Sequence, residues 1–562
     1  MSRALLDLRH RLQWQVALSD LPADPWLHIK SRGRKAIPFF DQPYQAVDTI
    51  WNDMAQEAMS LCLRARRHQQ FNPGPAPIIQ FAKEMLSSSD WVAVPTDKDG
   101  GYACLPRDQL IVGMQQIVDL GNYAEYPRYS ETAQEWVQEY QTLCRTIAGK
   151  DHRLYRALVS DCNSDCDRMY QKLSVTVKTH KTEGCVKFRG IHSSAASPLK
   201  PGMRWVTSLI SPALKNSHMI RDSFHLVDIL QRRPLPPNSI FLRFDIKEFY
   251  MSGEHSELIS RCAGYVPLAS RAAFSSMTEF ILGSQYVTVP GRPDHCYKVT
   301  TGSGMGLSCS GALSDLTFYD LAEVWATAES TKIQYEVWLY CRFADDGLIV
   351  CANKPELYSA FVAGLRSRAR FFQLEFDAPT VDAITFLDLK LSFGSRFMRC
   401  HRLDHQVSVK ETSICQPLSP TSMHSPANHA SWPRGTVQRI QKLCSSAAES
   451  RKVVDRFKEL WGQHDIYVMD TLGPSAVRDK KCSRAIVPFS DVWRRAGLQH
   501  VVASFSARLA DALSGLPITS RLGISWSLGG VHLVRQIRRW HLAKDPNDPE
   551  IKIWMRASRA RL

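Results

Sequence analysis

The stretch VWLYCRFADDGLIVCA at residues 337–352 carries the signal on which the reading of this chain turns. Two apolar runs rich in β-formers flank Ala344-Asp345-Asp346-Gly347, the pattern of a hairpin with a tight turn. Two adjacent carboxylates in such a turn repel one another. On its own this is most often a solvated surface turn. The apolar runs on both sides argue against that, and so does a second acidic element about a hundred residues upstream. There FLRFDIKEFY (241–250) reads as a strand with Asp245 near its exit. Three carboxylates on two β elements suit a hard divalent cation, because Mg²⁺ prefers a few carboxylates together with phosphate and water oxygens.

Between these elements TGSGMGLSCSGALSDLTFYDLAEVWAT (301–327) is a Gly/Ser-rich loop feeding a helix. It lacks the spacing and the lysine of a P-loop, so nucleotide hydrolysis of that type is excluded. Beyond the hairpin, 355–373 reads as a helix and TFLDLKLSF (385–393) as a strand pair. Upstream, WVAVPTDKDGGYACLPRD (91–108) has two short apolar runs around a polar turn. Residues 109–172 read as helical, and LSVTVKTHK followed by VKFRGIHSS as paired β runs. Residues 1–90 read as mostly helical, and the chain from 396 as basic and largely helical.

The chain has 562 residues, more than one hydrophobic core usually organises, so several subdomains are expected. Lys plus Arg exceed Asp plus Glu by 70 to 55, a net charge of +15 that suits a polyanionic partner without demanding one. The 15 cysteines form no regular framework and read as reduced thiols of an intracellular protein. The first residues are apolar at helical spacing but broken by Asp7, Arg9, His10 and Arg11, a surface helix rather than a secretory signal. No apolar run is long enough for a membrane span, so no membrane partner is expected. Cys162 and Cys166 near His152, and Cys400, His401, His405 and Cys415, lack two well-spaced ligand pairs and are not assigned to zinc.

The order FDIKEFY, GMGLSCSG, FADD, FLDLKL resembles the successive palm motifs of reverse transcriptases. Within that class the chain resembles the Penelope-like retroelement enzymes, relatives of telomerase. The narrower likeness rests on TDKDGG, on KTHK followed by FRGIHSS, on a Met-Gly pair where many reverse transcriptases carry Gln-Gly, and on HSPANHASWPRG (424–435). It spans roughly 91–540, and departs from the family's Arg-Pro-Ile by having Arg-Gly-Ile. The C-terminal GIY-YIG nuclease of many members is not found, so the endonuclease-lacking type is expected.

The resemblance implies an α+β fold, a right-hand polymerase with fingers, an antiparallel-sheet palm and a helical thumb. The expected division is 1–90 helical N-terminal region, 91–240 fingers, 241–395 palm, and 396–562 helical thumb and basic C-terminal region. It implies RNA-directed DNA polymerisation with two Mg²⁺ ions, or Mn²⁺, on an RNA template with a DNA primer and dNTPs. Nuclear residence is implied by the same likeness. Asp245 and Asp345 are then ligands of both ions and Asp346 completes the set. Tyr250 stands where a bulky residue excludes a 2′-hydroxyl, Arg189 where a guanidinium clamps the triphosphate, and Met305, Gly306 and Ser310 along the nascent base pair. Lys178, His180, Lys181 and Arg434 are candidate nucleic-acid contacts, with a solvated basic surface as the competing reading for the first three. Lys390 is the candidate acid toward pyrophosphate, and Arg535, Arg538, Arg539 and Lys544 are candidate backbone contacts, with a solvated helix face as the equal competing reading. An RNA-dependent RNA polymerase and a catalytically silent nucleic-acid-binding protein are the competing classes.

Overall fold

The computed structural model describes residues 49–61 except 59, 90–127 except 98–101, 130–162, 169–178, 186–289 except 195–196 and 216–217, 295–408, 426–462, 482–488, 497–512 and 521–527. His180 and Lys181, the expected N-terminal surface helix and the C-terminal basic run lie outside these residues. The architecture is α+β.

The first part of the chain gives the hairpin β1 (Trp91–Pro95) and β2 (Tyr102–Pro106), paired antiparallel as their alternation predicts. Helix α1 (Arg107–Leu120) follows, and then β3 (Tyr123–Pro127), a strand inside a stretch expected to be helical throughout. Its alternating Tyr-Ala-Glu-Tyr is short and acquires strand geometry by pairing with a partner far along the chain. Helix α2 (Ser130–Ala148) leads to β4 (Tyr170–Val177) and β5 (Phe188–His192), antiparallel to each other. Helices α3 (Lys200–Ile210) and α4 (Ser223–Arg232) complete this region.

Strand β6 (Ser239–Ile246) is followed by α5 (His255–Ala263) and α6 (Leu268–Gly283), and then by β7 (Tyr286–Thr288) and β8 (His295–Val299). These two short strands return to the earlier region: the five-stranded sheet has the order β3-β8-β7-β4-β5. The sheet therefore interleaves strands from the 91–240 and 241–395 ranges. Helix α7 (Ser310–Phe318) runs into a π-helical turn, Tyr319–Glu323. Strands β9 (Val337–Phe343) and β10 (Asp346–Ala352) form the expected hairpin, before α8 (Pro355–Ala369) and β11 (Leu374–Phe376).

The sheet that carries the acidic elements has the order β11-β6-β10-β9, antiparallel throughout. Period-two alternation gives each strand two apolar faces. Ile240, Leu242, Phe244 and Ile246 pack with Phe318 of α7 and Phe361 and Leu365 of α8 on one face. Phe241, Leu348 and Val350 occupy the other face, under Leu226 and Leu230 of α4 and Val437 and Ile440 of a later helix. Each fully buried phenylalanine here contributes about 2–3 kcal/mol. Because β6 and β10 are antiparallel, the exit of one meets the entry of the other at the same end of the sheet.

Strands β12 (Ala383–Phe386), β13 (Leu389–Ser392) and β14 (Asp404–Val407) form a small sheet against that second face. Helices α9 (Pro426–Leu443) and α10 (Ala447–Gly462) pack over it. The largely helical C-terminal expectation misses one feature: β15 (Cys482–Pro488) and β16 (Arg521–Ser527) pair in parallel, with α11 (Leu498–Ala512) between them in sequence. CSRAIVP and RLGISWS are short strand-length runs, and a parallel pair needs a crossover of the kind that helix supplies.

Candidate active site

Register brings the carboxylates together. Asp346 at the first position of β10 stands directly across from Asp245 of β6, so the two side chains share a face. Asp345 lies in the turn, exposed, and its carbonyl accepts the Ile246 amide at 2.9 Å. The carboxylate cluster is not neutralised within itself. Burial, then the charges of Asp345 and Asp346, hold the Asp245 carboxyl above its ordinary value. Glu375 of β11, across from Asp245 on the other side, adds to this repulsion. Arg243, two residues back on the same face, takes Asp346 at 2.8 Å and Asp377 at 3.5 Å. Among the described residues no group of three His, Cys, Asp or Glu side chains is arranged to hold a metal ion, and Asp346 accepts from Arg243 Nη2 at 2.8 Å. The donor chemistry is nonetheless of the kind Mg²⁺ accepts: three carboxylates, oxygen donors only, whose mutual repulsion one arginine only partly offsets.

The turn itself is strained. Ala344 has φ +51°, a left-handed conformation that costs an alanine about 1–2 kcal/mol. Arg342, on the α7–α8 face of β9, holds it: its Nη1 donates to the Ala344 carbonyl at 2.7 Å.

Tyr250 follows β6 in a short 3₁₀ turn, Phe249–Met251. Its carbonyl accepts the Ser303 amide at 2.6 Å, which ties the Gly/Ser-rich loop to the exit of β6. The ring lies near Gly311 on α7: a Cβ there would come 3.9 Å from the tyrosine edge. Burial, then the charges of Asp315 and Asp345, raise its hydroxyl above its ordinary value, while Arg342 and Arg189 pull it down. Asp345 and Arg189 thus both act electrostatically on Tyr250, although the three come from different elements.

Arg189 projects from β5, partly exposed, and pairs at 3.2 Å with Asp97, whose side chain is 7% exposed. Asp97 belongs to TDKDGG and is fixed by its own amide, which donates to Val177 at 2.9 Å. Met305 and Gly306 lie in the loop that begins at Thr301. The Met305 carbonyl accepts the His192 amide at 2.7 Å, and the Gly306 carbonyl accepts the Ser194 hydroxyl at 2.5 Å. Gly306 has φ +119°, and a Cβ there would meet the His192 carbonyl oxygen at 2.2 Å, so only glycine fits. Ser310 is buried, with its hydroxyl bonded to Ser303 Oγ at 2.6 Å and donating to the Gly304 carbonyl at 2.8 Å. Its side chain holds the loop closed instead of facing outward. Lys178 continues β4 with its amide donating to the Lys187 carbonyl at 2.9 Å, Arg434 is exposed on α9, and Lys390 is exposed on β13.

Sequence reasoning missed the residues that position these groups. Asp97 lies in the TDKDGG element but was given no role of its own, and Asp315 was not singled out. Gln285 accepts the Gly304 amide at 2.7 Å and donates to the Gly302 carbonyl at 3.2 Å. His192, 1% exposed, shares a hydrogen bond between its Nε2 and the Tyr123 hydroxyl at 2.8 Å. Glu323 is fully buried against Arg342. The available signal was a charged or amide residue inside an apolar run, as in LAEVWA, YCRFA and SQYV.

No protein-family model matches the chain, and no curated protein matches it. Several solved structures are similar at low identity. Apo telomerase from Candida tropicalis, truncated from its C-terminal domain, aligns over 58% of this chain and 65% of its own, at 12% identity and a TM-score of 0.39. Telomerase from Candida albicans in complex with a TWJ fragment of telomeric RNA aligns over 84% and 74%, at 11% identity and a TM-score of 0.43. An RNA dependent RNA polymerase, vp4, aligns over 56% and 38%, at 8% identity and a TM-score of 0.34. No described helix is long and apolar enough to cross a membrane.

Proposed function

We propose that this chain is an RNA-directed DNA polymerase of the Penelope-like type, which extends a DNA primer 3′-hydroxyl on an RNA template with dNTPs. The observation that carries this reading is the convergence of Asp245 and Asp346 across β6 and β10, with Asp345 in the turn between β9 and β10. Asp245 and Asp345 are the residues that would hold two Mg²⁺ or Mn²⁺ ions, with Asp346 completing the set. When bound, such ions lower the pKa of the primer hydroxyl and neutralise charge on the leaving pyrophosphate.

The chain's own residues do the rest. Arg189 presents a guanidinium to the triphosphate, the fork geometry that phosphate oxygens accept best. Tyr250 places a ring under the sugar and rejects a 2′-hydroxyl by steric repulsion. Met305 and Gly306 pack against the nascent base pair without base-specific hydrogen bonds. Lys178, His180, Lys181 and Arg434 contribute backbone contacts without sequence information. Nuclear residence follows from the retroelement resemblance and belongs to the same proposal.

Nucleotide selection by the purified chain on a primed RNA template tests it. Wild type should extend with dNTPs and discriminate against ribonucleotides, and Tyr250→Ala should relax that discrimination. Equal use of both nucleotide classes by wild type would assign the chain to the RNA polymerases instead.

A further inference from the structure

The side chain of Arg342 is 1% exposed and bonds both to the Ala344–Asp345 turn and to the α7 segment. Its Nε and Nη2 donate to the two oxygens of Glu323 at 2.7 and 2.9 Å, a bidentate pair. Its Nη1 donates both to Asp315 at 2.6 Å and to the Ala344 carbonyl at 2.7 Å. Glu323 lies in the π-helical turn after α7 and Asp315 within α7 itself, so one side chain joins the loop-bearing helix to the hairpin. Tyr340 donates to Glu323 at 3.1 Å and His218 Nε2 lies 3.2 Å from its second oxygen. The rings of Phe249 and Phe318 flank the guanidinium at 5.5 and 5.1 Å.

Desolvating such a network is costly, and apolar residues of similar volume often serve stability as well. What an apolar residue cannot supply is a donor for the carbonyl of a left-handed alanine one residue before Asp345. A π-helical turn in an otherwise α-helical segment also marks functional sites more often than ordinary helix does.

We infer that Arg342 is a positioning residue, which clamps the Ala344–Asp345 turn onto the α7 segment through Glu323 and Asp315 and so sets the direction of the Asp345 carboxylate. The inference rests on the polymerase reading for its kinetics but not for its metal arm. A lysine keeps the buried charge but cannot reach two carboxylates and the carbonyl together.

The experiment compares full-length wild type, Arg342→Lys, and Arg342→Lys with Ala344→Gly, by primer extension, Mn²⁺ titration followed by electron paramagnetic resonance, and thermal melting. Arg342→Lys should melt cooperatively, lose about 100-fold in kcat with dNTP KM little changed, and bind Mn²⁺ more weakly. Glycine at 344 adopts the turn without the clamp and should restore at least about tenfold of the lost kcat. A folded Arg342→Lys with wild-type kcat, or with wild-type Mn²⁺ affinity, overturns the inference, and so does a failure of glycine to rescue. Should Arg342→Lys fail to fold, Asp315→Ala at the partly exposed arm is expected to give the same kcat loss and weakened Mn²⁺ affinity, and unchanged values would overturn the inference equally. Absence of extension by wild type would count against the polymerase reading alone, with the Mn²⁺ comparison still deciding the role of Arg342.

Discussion

Replacing Gly306 by alanine should damage turnover far more than it damages the fold. A Cβ at 306 would sit 2.2 Å from the His192 carbonyl oxygen, and carbon–oxygen contacts settle at about 3.3 Å, so one chain must retreat by about 1 Å. The β5 side is the harder to move, since His192 is buried and its amide is bonded to the Met305 carbonyl. The loop therefore moves, and Met305 with it. A misplacement of about 1 Å at a reacting centre costs on the order of 100-fold, or about 2.7 kcal/mol of barrier. The left-handed φ adds about 1–2 kcal/mol of destabilisation for any residue with a Cβ. Steady-state primer extension reads the first effect and urea unfolding the second. Turnover within about threefold of wild type would refute the claim that this loop and β5 are locked together at the site.

Other expectations follow from the same geometry. Asp97→Asn removes the charge that orients Arg189, so dNTP KM should rise several-fold with kcat less affected. A kcat loss at constant KM would show that Asp97 acts elsewhere. Burial lowers the His192 pKa to about 4, against about 6.5 in an unfolded chain, so the fold holds it neutral while the unfolded state takes up a proton. That contribution is fully present above pH ~6.5 and is lost as pH falls toward 4, about 3 kcal/mol in all. His192→Gln should flatten this part of the stability curve, and an unchanged acid limb in the variant would contradict it.

The acidic hairpin and its partner strand were legible because their signal is local: alternation, a tight turn, and carboxylates where apolar runs stop. The register that sets Asp346 against Asp245 was only implied, and the structure supplies it. What could not be read was longer in range. Strands β7 and β8 are short and pair with β3 and β4 across more than a hundred residues, so local periodicity gives no hint of their sheet. Asp97 and Arg189 lie on different hairpins, and their pairing depends on the bridge between Thr96 and Val177. Arg342 reads from sequence as a charge in a strand, whereas in space it is the buried link between three elements. The resemblance named the residues proposed to touch substrate, and the structure adds the residues that hold them.

Extension of a DNA primer on an RNA template by wild type and by Asp345→Asn, each with Mg²⁺ and with Mn²⁺, bears most directly on whether these carboxylates are catalytic. Wild type should extend only with a divalent ion present, and Asp345→Asn should lose at least about 1000-fold while melting as wild type does. Wild type that binds the primed template but extends it under no condition, or an Asp345→Asn variant that extends as well as wild type, would contradict the assignment.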